Sequence, residues 1–418
     1  MMESPKSKIC FSILVHDDKE LIKQLIENVR YHCPNSAIVL YNGGNEPTLC
    51  DGLGVPVCPS SRKLNRGWTT IYFLETMEWL EEMGIDYEYY INLDSDVLFF
   101  RKGYEEFIQS EMKDTDYMAV NLRTPEPNWF VGRELRKDIH SWGKLFNVNN
   151  FLGIFNVGQI ISRPLVKELL EPERNKLIKK ILAETPTWGS DEILFVNMAK
   201  DLGFRLKSYP YNVGYSTIRF RPHFSLNEML SRLNHIQTGW LCHPIVRNKN
   251  NLARKLIIHK DSEHFSKQYK SKEYPWYQND SNNYAISFPI KSHFGNLELI
   301  VQSDASLTHY WQDPSGKWNK SGTFAEGVTG IPLFYENNAG NYTVVSKLRT
   351  RGVGFWVRDN SATRYPWYGP SIIIDEDVNP IMLDQLIDGR YILVCESSNQ
   401  YYYWAQENKW AKDPYIDV

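Results

Sequence analysis

Lys8 to Val15 is an apolar run of strand length, and from Asp17 to Cys33 apolar residues return at Leu21, Leu25, Ile26 and Val29, the spacing of one helix face. A second strand is predicted over Ala37 to Tyr41, ending in Asn42-Gly43-Gly44. Leu53 to Cys58 reads as a third short strand, Arg66 to Met83 as a long amphipathic helix, and Glu88 to Leu93 as another strand. Strands alternating with helices predict an α/β domain with a Rossmann-type, mostly parallel sheet flanked by helices. Ligands of such sheets gather beyond the carboxyl ends of the strands. Val15, His16 and Asn42 stand at two of those ends.

After about residue 265 the pattern changes. Lys267 to Asn283 is polar and reads as a linker, and beyond it the helical spacing nearly vanishes. A unit recurs there. Gly295 to Val301 is followed by Leu307 to Trp311 and Trp318; Gly340 to Val345 by Gly354 to Val357 and Trp367; Gly389 to Val394 by Tyr401 to Trp404 and Trp410. A period of roughly 45 to 50 residues belongs to repeated β units such as propeller blades. The expected organisation is therefore a first domain over 1–265, a linker over 266–287 and an all-β repeat domain over 288–418. An ordinary β-sandwich with glycine turns is the plainer reading of the last part. Three blades do not close a ring, so the repeat is either a β-trefoil-like unit or half a ring completed by a second copy, which makes a homodimer an expectation.

Composition narrows the function. A net charge of -3, with no long basic run, excludes the electrostatic footprint of a nucleic-acid binder. No stretch has the length of a signal h-region or a membrane span. The six cysteines are dispersed without a CxxC pair, and a cytoplasmic location follows by default. The sequons at Asn279, Asn319 and Asn341 read as coincidental. Aromatic residues make up 14% of the chain and recur in the repeats as Tyr310-Trp311, Phe355-Trp356 and Tyr403-Trp404. Such rings either stack on sugar faces or fill cores between blades.

The chemistry concentrates at the end of the predicted strand 88–93, in Asn92-Leu93-Asp94-Ser95-Asp96. Side chains two apart on a strand share a face, so Asp94 and Asp96 aim at one point, where Mg²⁺ or Mn²⁺ and a diphosphate would complete the coordination. The Asp-x-Asp spacing also occurs at Asp114/Asp116 and Asp375/Asp377, and only its position at a strand end singles out the first. The plain alternative is a solvated turn.

With these residues in view, positions 8 to 260 resemble the GT-A glycosyltransferases, which carry a DXD motif at the end of a central strand. Asn156-Val157-Gly158 is similar to the family segment that lines the donor-sugar pocket. Trp188-Gly189-Ser190-Asp191-Glu192, opening a predicted helix, resembles the acidic segment that supplies the base in inverting members, and His243 in Trp240 to Ile245 resembles the histidine that completes the metal site. The resemblance implies a metal-dependent transfer from a nucleotide-sugar, UDP being the commonest family partner, to a hydroxyl of a carbohydrate or glycan acceptor. It assigns the metal to Asp94, Asp96 and His243, the base to Asp191 or Glu192, and donor contacts to Val15, His16, Asn42, Arg66, Asp94, Ser95, Asn156 and Gly158. The repeats resemble those of bacterial propeller lectins.

Each assignment has a plainer reading. Ser190 to Glu192 suit a helix cap, Arg66 an exposed helical arginine, and His259 competes with His243 for the metal. A sugar nucleotidyltransferase is the enzymatic alternative, although neither GxxxxGK[ST] nor a complete GxGxxG occurs. A carbohydrate-binding protein carrying a degenerate transferase domain is the other.

Overall fold

The computed structural model describes residues 8–235, 239–277, 284–406 and 410–412. They form two compact units, one of residues up to 224 with 239–249, the other of 225–235 with the chain from 250 onward. Helices Leu226–Asn234 and Leu252–Lys260, which the sequence groups with the first domain, thus belong to the second unit. Of the expected linker, positions 278–283 lie outside the described residues, as does Asn279. No described helix is long and apolar enough to cross a membrane.

The first unit is built on strands β1 (Ile9–Val15), β2 (Ala37–Asn42), β3 (Tyr89–Asp94), β4 (Leu98–Phe99), β5 (Tyr117–Arg123), β6 (Gly153–Ser162), β7 (Leu206–Ser208) and β8 (Leu241–Cys242). Six of them make one sheet in the order β2-β1-β3-β6-β5-β7. β1 runs parallel to β2 and β3, and β5 to β7, while β6 lies antiparallel between β3 and β5. Central strands covered on both faces need unbroken apolar runs, and Cys10, Phe11, Ile13 and Val15 of β1 are all buried. One face, with Cys10, Val39, Tyr41, Tyr90 and Tyr117, packs against Tyr72, Phe73 and Met77 of helix Ile71–Glu82 and Ile178 and Ile181 of helix Pro172–Glu184. Asp18 caps helix Lys19–His32, its carboxylate accepting from the amides of Glu20 and Leu21.

Two sequence expectations give way here. The helix expected from Arg66 starts only at Ile71, because Gly67 takes a φ of 83° that a helix does not contain, so Arg66 lies in a loop. Over 53–58 only Val57 pairs, in a single bridge to Leu40.

The second unit holds three antiparallel sheets of consecutive strands. The first contains β9 (Tyr284–Ile286), β10 (Ile290–Lys291), β11 (Leu297–Ser303), β12 (Ser306–Gln312) and β13 (Trp318–Glu326), the second β14 (Val328–Glu336), β15 (Tyr342–Leu348), β16 (Val353–Arg358) and β17 (Trp367–Ile374). The third contains β18 (Asn379–Gln385), β19 (Tyr391–Ser397), β20 (Gln400–Gln406) and β21 (Trp410–Lys412). Each repeat begins one strand before its glycine. Gly295, Gly340 and Gly389, at φ 83°, 78° and 89°, turn the chain from β10 to β11, from β14 to β15 and from β18 to β19, where a side chain would strain the backbone.

Of the repeated rings, Tyr310, Trp356 and Trp404 are core. Trp356 is buried between the first two sheets and Trp404 between the second and third, while Tyr310 and Trp318 surround Trp276 from the segment before β9.

A polar cluster also joins the first two sheets. The buried Glu298 carboxylate accepts from Ser292 Oγ at 2.7 Å and from the Tyr342 hydroxyl, and its second oxygen lies 2.7 Å from His309 Nε2. Burial raises this carboxyl, but the hydrogen bonds from His309, Tyr342 and Ser292 outweigh it and hold the group below the usual range. Its stabilisation is thus present above the unfolded value and lost as pH falls through the folded one. Glu298→Ala leaves the His309 and Tyr342 donors without an acceptor, and the expected loss is about 1–3 kcal/mol for each, read as an earlier urea transition of the second unit.

Candidate active site

Asp94 ends β3, the central parallel strand, and the turn after it buries Ser95 and Asp96. β4 then pairs with β8, which returns a distant stretch of chain to this turn. Three backbone bonds fix that stretch: His243 N to Thr217 O, Arg219 N to His243 O, and Ile245 N to Asp96 O. His243 consequently faces the aspartates, with Nε2 3.2 Å from Asp96 Oδ1 and 4.0 Å from Asp94 Oδ2. Its Nδ1 lies 2.9 Å from the Arg219 carbonyl, which only accepts, so Nδ1 carries the hydrogen and Nε2 is the atom turned to the carboxylates.

These three side chains bring ligand atoms within 4.8 Å of one another. Two carboxylate oxygens and one imidazole nitrogen suit a hard divalent cation such as Mn²⁺ or Mg²⁺, and the residues present fit it. Asp96 also forms an ion pair with Arg247, whose Nη2 lies 3.1 Å from Oδ1 and whose Nε donates to Ser95 Oγ at 2.9 Å. Burial pushes Asp96 up, yet His243 and Arg247 outweigh it and hold the carboxyl at about 2. Asp94 is raised, by burial first and by Asp96 second.

The other two Asp-x-Asp pairs have ordinary surface partners. Asp114 and Asp116 pair with Arg205, and Asp375 and Asp377 with Arg351 and Lys347. His259 stacks on Phe288 within the second unit.

A cleft of about 450 Å³ opens above the aspartates. His16, Arg66, Asp94, Asp96, Asn156, Asp191, Glu192 and His243 line it, and Val15, Asn42, Ser95 and Gly158 are not among the residues that do. Val15 is fully buried, and its carbonyl accepts from Gly43. Asn42 closes its own loop, accepting from Gly44 N and donating to Glu46 O. Gly158, at φ 81°, belongs to a bulge where β6 slips register between Ile160 and Phe155, which turns Asn156 towards the cleft. Asn92 holds the bulge by hydrogen bonds to Asn156 O and Gln159 N.

Asp191 and Glu192 sit in a single 3-10 turn, Ser190–Glu192, ahead of helix Leu194–Asp201, and neither caps that helix. The turn is clipped to the loop before helix Ile71–Glu82 by Gly189 N to Gly67 O and by hydroxyls of Thr69 and Thr70, on Asp191 and Ser190 respectively. A Cβ on Gly67 would meet Trp188 Nε1 at 1.8 Å, so Gly67→Ala is expected to expel Trp188 from the cleft wall, visible as a red-shifted tryptophan emission. Burial, then the charge of Asp94, pushes Asp191 up to about 7; burial, then Asp191, pushes Glu192 up to about 8.

The sequence did not single out Lys63, Thr69, Phe155, Phe220, Arg221 or Arg247, all of which line the cleft. None shares a period or motif with the aspartates. Only Arg247, four residues after His243, had a positional cue.

No family model matches the chain, and no curated protein matches it. Among solved structures it is similar to the galactosyltransferase LgtC in complex with donor and acceptor sugar analogues, at TM-score 0.33 and 12% identity, over 58% of this chain and 91% of that one. It is similar also to a glycosyltransferase involved in the glycosylation of the major capsid of PBCV-1, at TM-score 0.34 and 11% identity, over 56% of this chain and 92% of that one. A triple arginine-to-alanine mutant of AofleA from Arthrobotrys oligospora matches at TM-score 0.26 and 13% identity, over 32% of this chain; the chain spans 41% of that protein's length.

Proposed function

We propose that the first unit is a glycosyltransferase that uses a divalent cation and a nucleotide-sugar, with UDP as the nucleotide, and inverts the anomeric centre. The observation that carries this reading is the triad Asp94, Asp96 and His243 at the carboxyl end of the central strand, opening on a cleft that also contains Lys63, Arg66, Arg221 and Arg247. Cations facing carboxylates across one cleft suit a polyanion bound through a metal. Mn²⁺ or Mg²⁺ held by Asp94, Asp96 and His243 would neutralise charge on the departing diphosphate.

The chain's own residues do the rest. Arg247 orients Asp96, and the lysine and arginines of the cleft receive the phosphates. Asn156 and His16 stand where the sugar and nucleoside would meet the wall. A carboxylate of the 190–192 turn takes the acceptor proton as the hydroxyl attacks, and Glu192 suits this better than Asp191, whose Oδ2 already accepts from Thr69. The three sheets of the second unit, none of whose described strands pairs with another sheet, we read as blades that bind carbohydrate or assemble with a second copy.

Calorimetric titration of UDP and GDP, each with and without Mn²⁺, tests the proposal. Cation-dependent binding of UDP supports it; binding of GDP alone overturns the choice of nucleotide, and no binding of either overturns the whole.

A further inference from the structure

Beside the polar cleft lies a second cavity, of about 460 Å³, and the two share Phe155, Trp188, Glu192 and Phe220 as a common wall. Its character is different. Trp129, Phe130, Val131, Ile154 and Ile218 supply most of the remaining lining. Asn121, Arg123 and Arg219 are the other polar residues of this wall; the Arg219 guanidinium donates to the carbonyls of Pro222 and His223 and stacks on Phe224 at 4.0 Å, and Arg123 lies over Trp129 at 5.6 Å. Glu192 is the one acidic residue among those that line it.

At the mouth, Phe130 is 46% exposed and Phe220 56% exposed, although both are large apolar rings beside a cavity. Phe130 is held edge-on to Trp188, with centroids 5.3 Å apart. The Arg133 and Arg221 guanidinium groups lie 5.9 and 5.3 Å from the Phe130 and Phe220 centroids, and the exposed remainder of the two rings is apolar surface for a ligand to cover. A polyhydroxylated sugar filling this cavity would lose water from its hydroxyls with few protein groups to replace it. A flat apolar ring loses nothing comparable.

We propose that this cavity is the acceptor site and that the acceptor is an alcohol attached to a flat apolar ring, the ring lying among Trp129, Phe130 and Trp188 and the hydroxyl at Glu192. The inference rests on the transfer reading above and specifies its acceptor. The acceptor oxygen bonds to the anomeric carbon, the bond from that carbon to the diphosphate oxygen breaks with its electron pair leaving on the nucleoside diphosphate, and the hydroxyl proton passes to the Glu192 carboxylate. The reacting hydroxyl belongs either to the ring, as in a phenol, or to a sugar that carries the ring as its aglycone.

Phenol, phenyl β-glucoside and methyl β-glucoside are titrated calorimetrically into the full chain in the presence of UDP and Mn²⁺, and again into Phe130→Ala. Phe130 lines the apolar cavity and not the polar cleft, and its exposure makes the substitution tolerable to the fold. The expected result is that at least one ring compound binds about tenfold or more tightly than methyl β-glucoside, and that Phe130→Ala removes the preference. Phenol binding alone identifies the ring hydroxyl as acceptor; preference for the phenyl glucoside identifies an aglycone. Equal affinity for all three, or a preference that survives Phe130→Ala, overturns the assignment. UDP is titrated separately, so ring binding without nucleotide binding sinks the transfer reading and keeps the apolar site, and the reverse sinks this inference alone.

Discussion

Glu192→Gln is expected to lower kcat by about two to four orders of magnitude and to leave UDP affinity within about twofold of wild type. Glutamine keeps the size of the side chain and its place beside Phe155 and Trp188, but it has no lone pair basic enough to take a proton. The same residue sets the pH dependence. Burial and the neighbouring Asp191 hold Glu192 up at about 8, so the basic form is scarce at neutral pH. Turnover of the wild type should rise about tenfold per pH unit as Glu192 ionises, and level off above its value. The two carboxyls influence one another, so the profile reports the pair. Stability moves the other way: both folded values lie above the unfolded ones, so the contribution is full near pH 4 and is lost as pH rises through 7 to 8. The first unit should therefore melt at a lower temperature at pH 9 than at pH 6. A variant that turns over normally, with a profile unchanged from wild type, would move the base to Asp191.

Asp96→Asn should weaken Mn²⁺-dependent UDP binding by about a hundredfold or more, since removing a charged ligand costs more than the 10–100-fold typical of residues around it. Asparagine is the informative replacement. Asp96 is only 3% exposed and carries contacts to both His243 and Arg247, so alanine would leave the buried His243 and the half-buried Arg247 facing a void and confuse loss of metal with loss of fold. Asn keeps an oxygen for Arg247 and removes the charge. Weak, cation-independent nucleotide binding should remain, through Lys63, Arg66 and Arg221. Asp114→Asn, which alters an identical spacing on the surface, should behave as wild type, because Asp114 pairs with the exposed Arg205. Equal effects at both positions would show that the spacing, not the site, had been disturbed.

Much of this protein is readable from local pattern. The mainly apolar runs of β1 and β3, the helix face of Leu21, Leu25 and Val29 with Asp18 as its cap, and the glycine turns at 295, 340 and 389 each depend on interactions within a few residues. The strand end at Asp94 is local in the same sense, but Asp96 lies in the turn beyond it, where His243 and Arg247 meet it. Other features depend on parts of the chain that meet only after folding. His243 is brought to Asp96 by the pairing of β4 with β8 and by the bond from Ile245 to Asp96, across nearly 150 residues. Gly67 looks like an interruption of a helix until Trp188 is seen to occupy the space its side chain would need. The paired rings of the repeats suggest sugar platforms in sequence, and only the stacking of the sheets decides that Trp356 and Trp404 are core. Backbone dihedrals and side-chain alternation are properties of neighbours along the chain, so sequence determines them; which carboxylate is buried, and what stands opposite it, is set by contacts between distant segments, and those the tertiary structure alone decides.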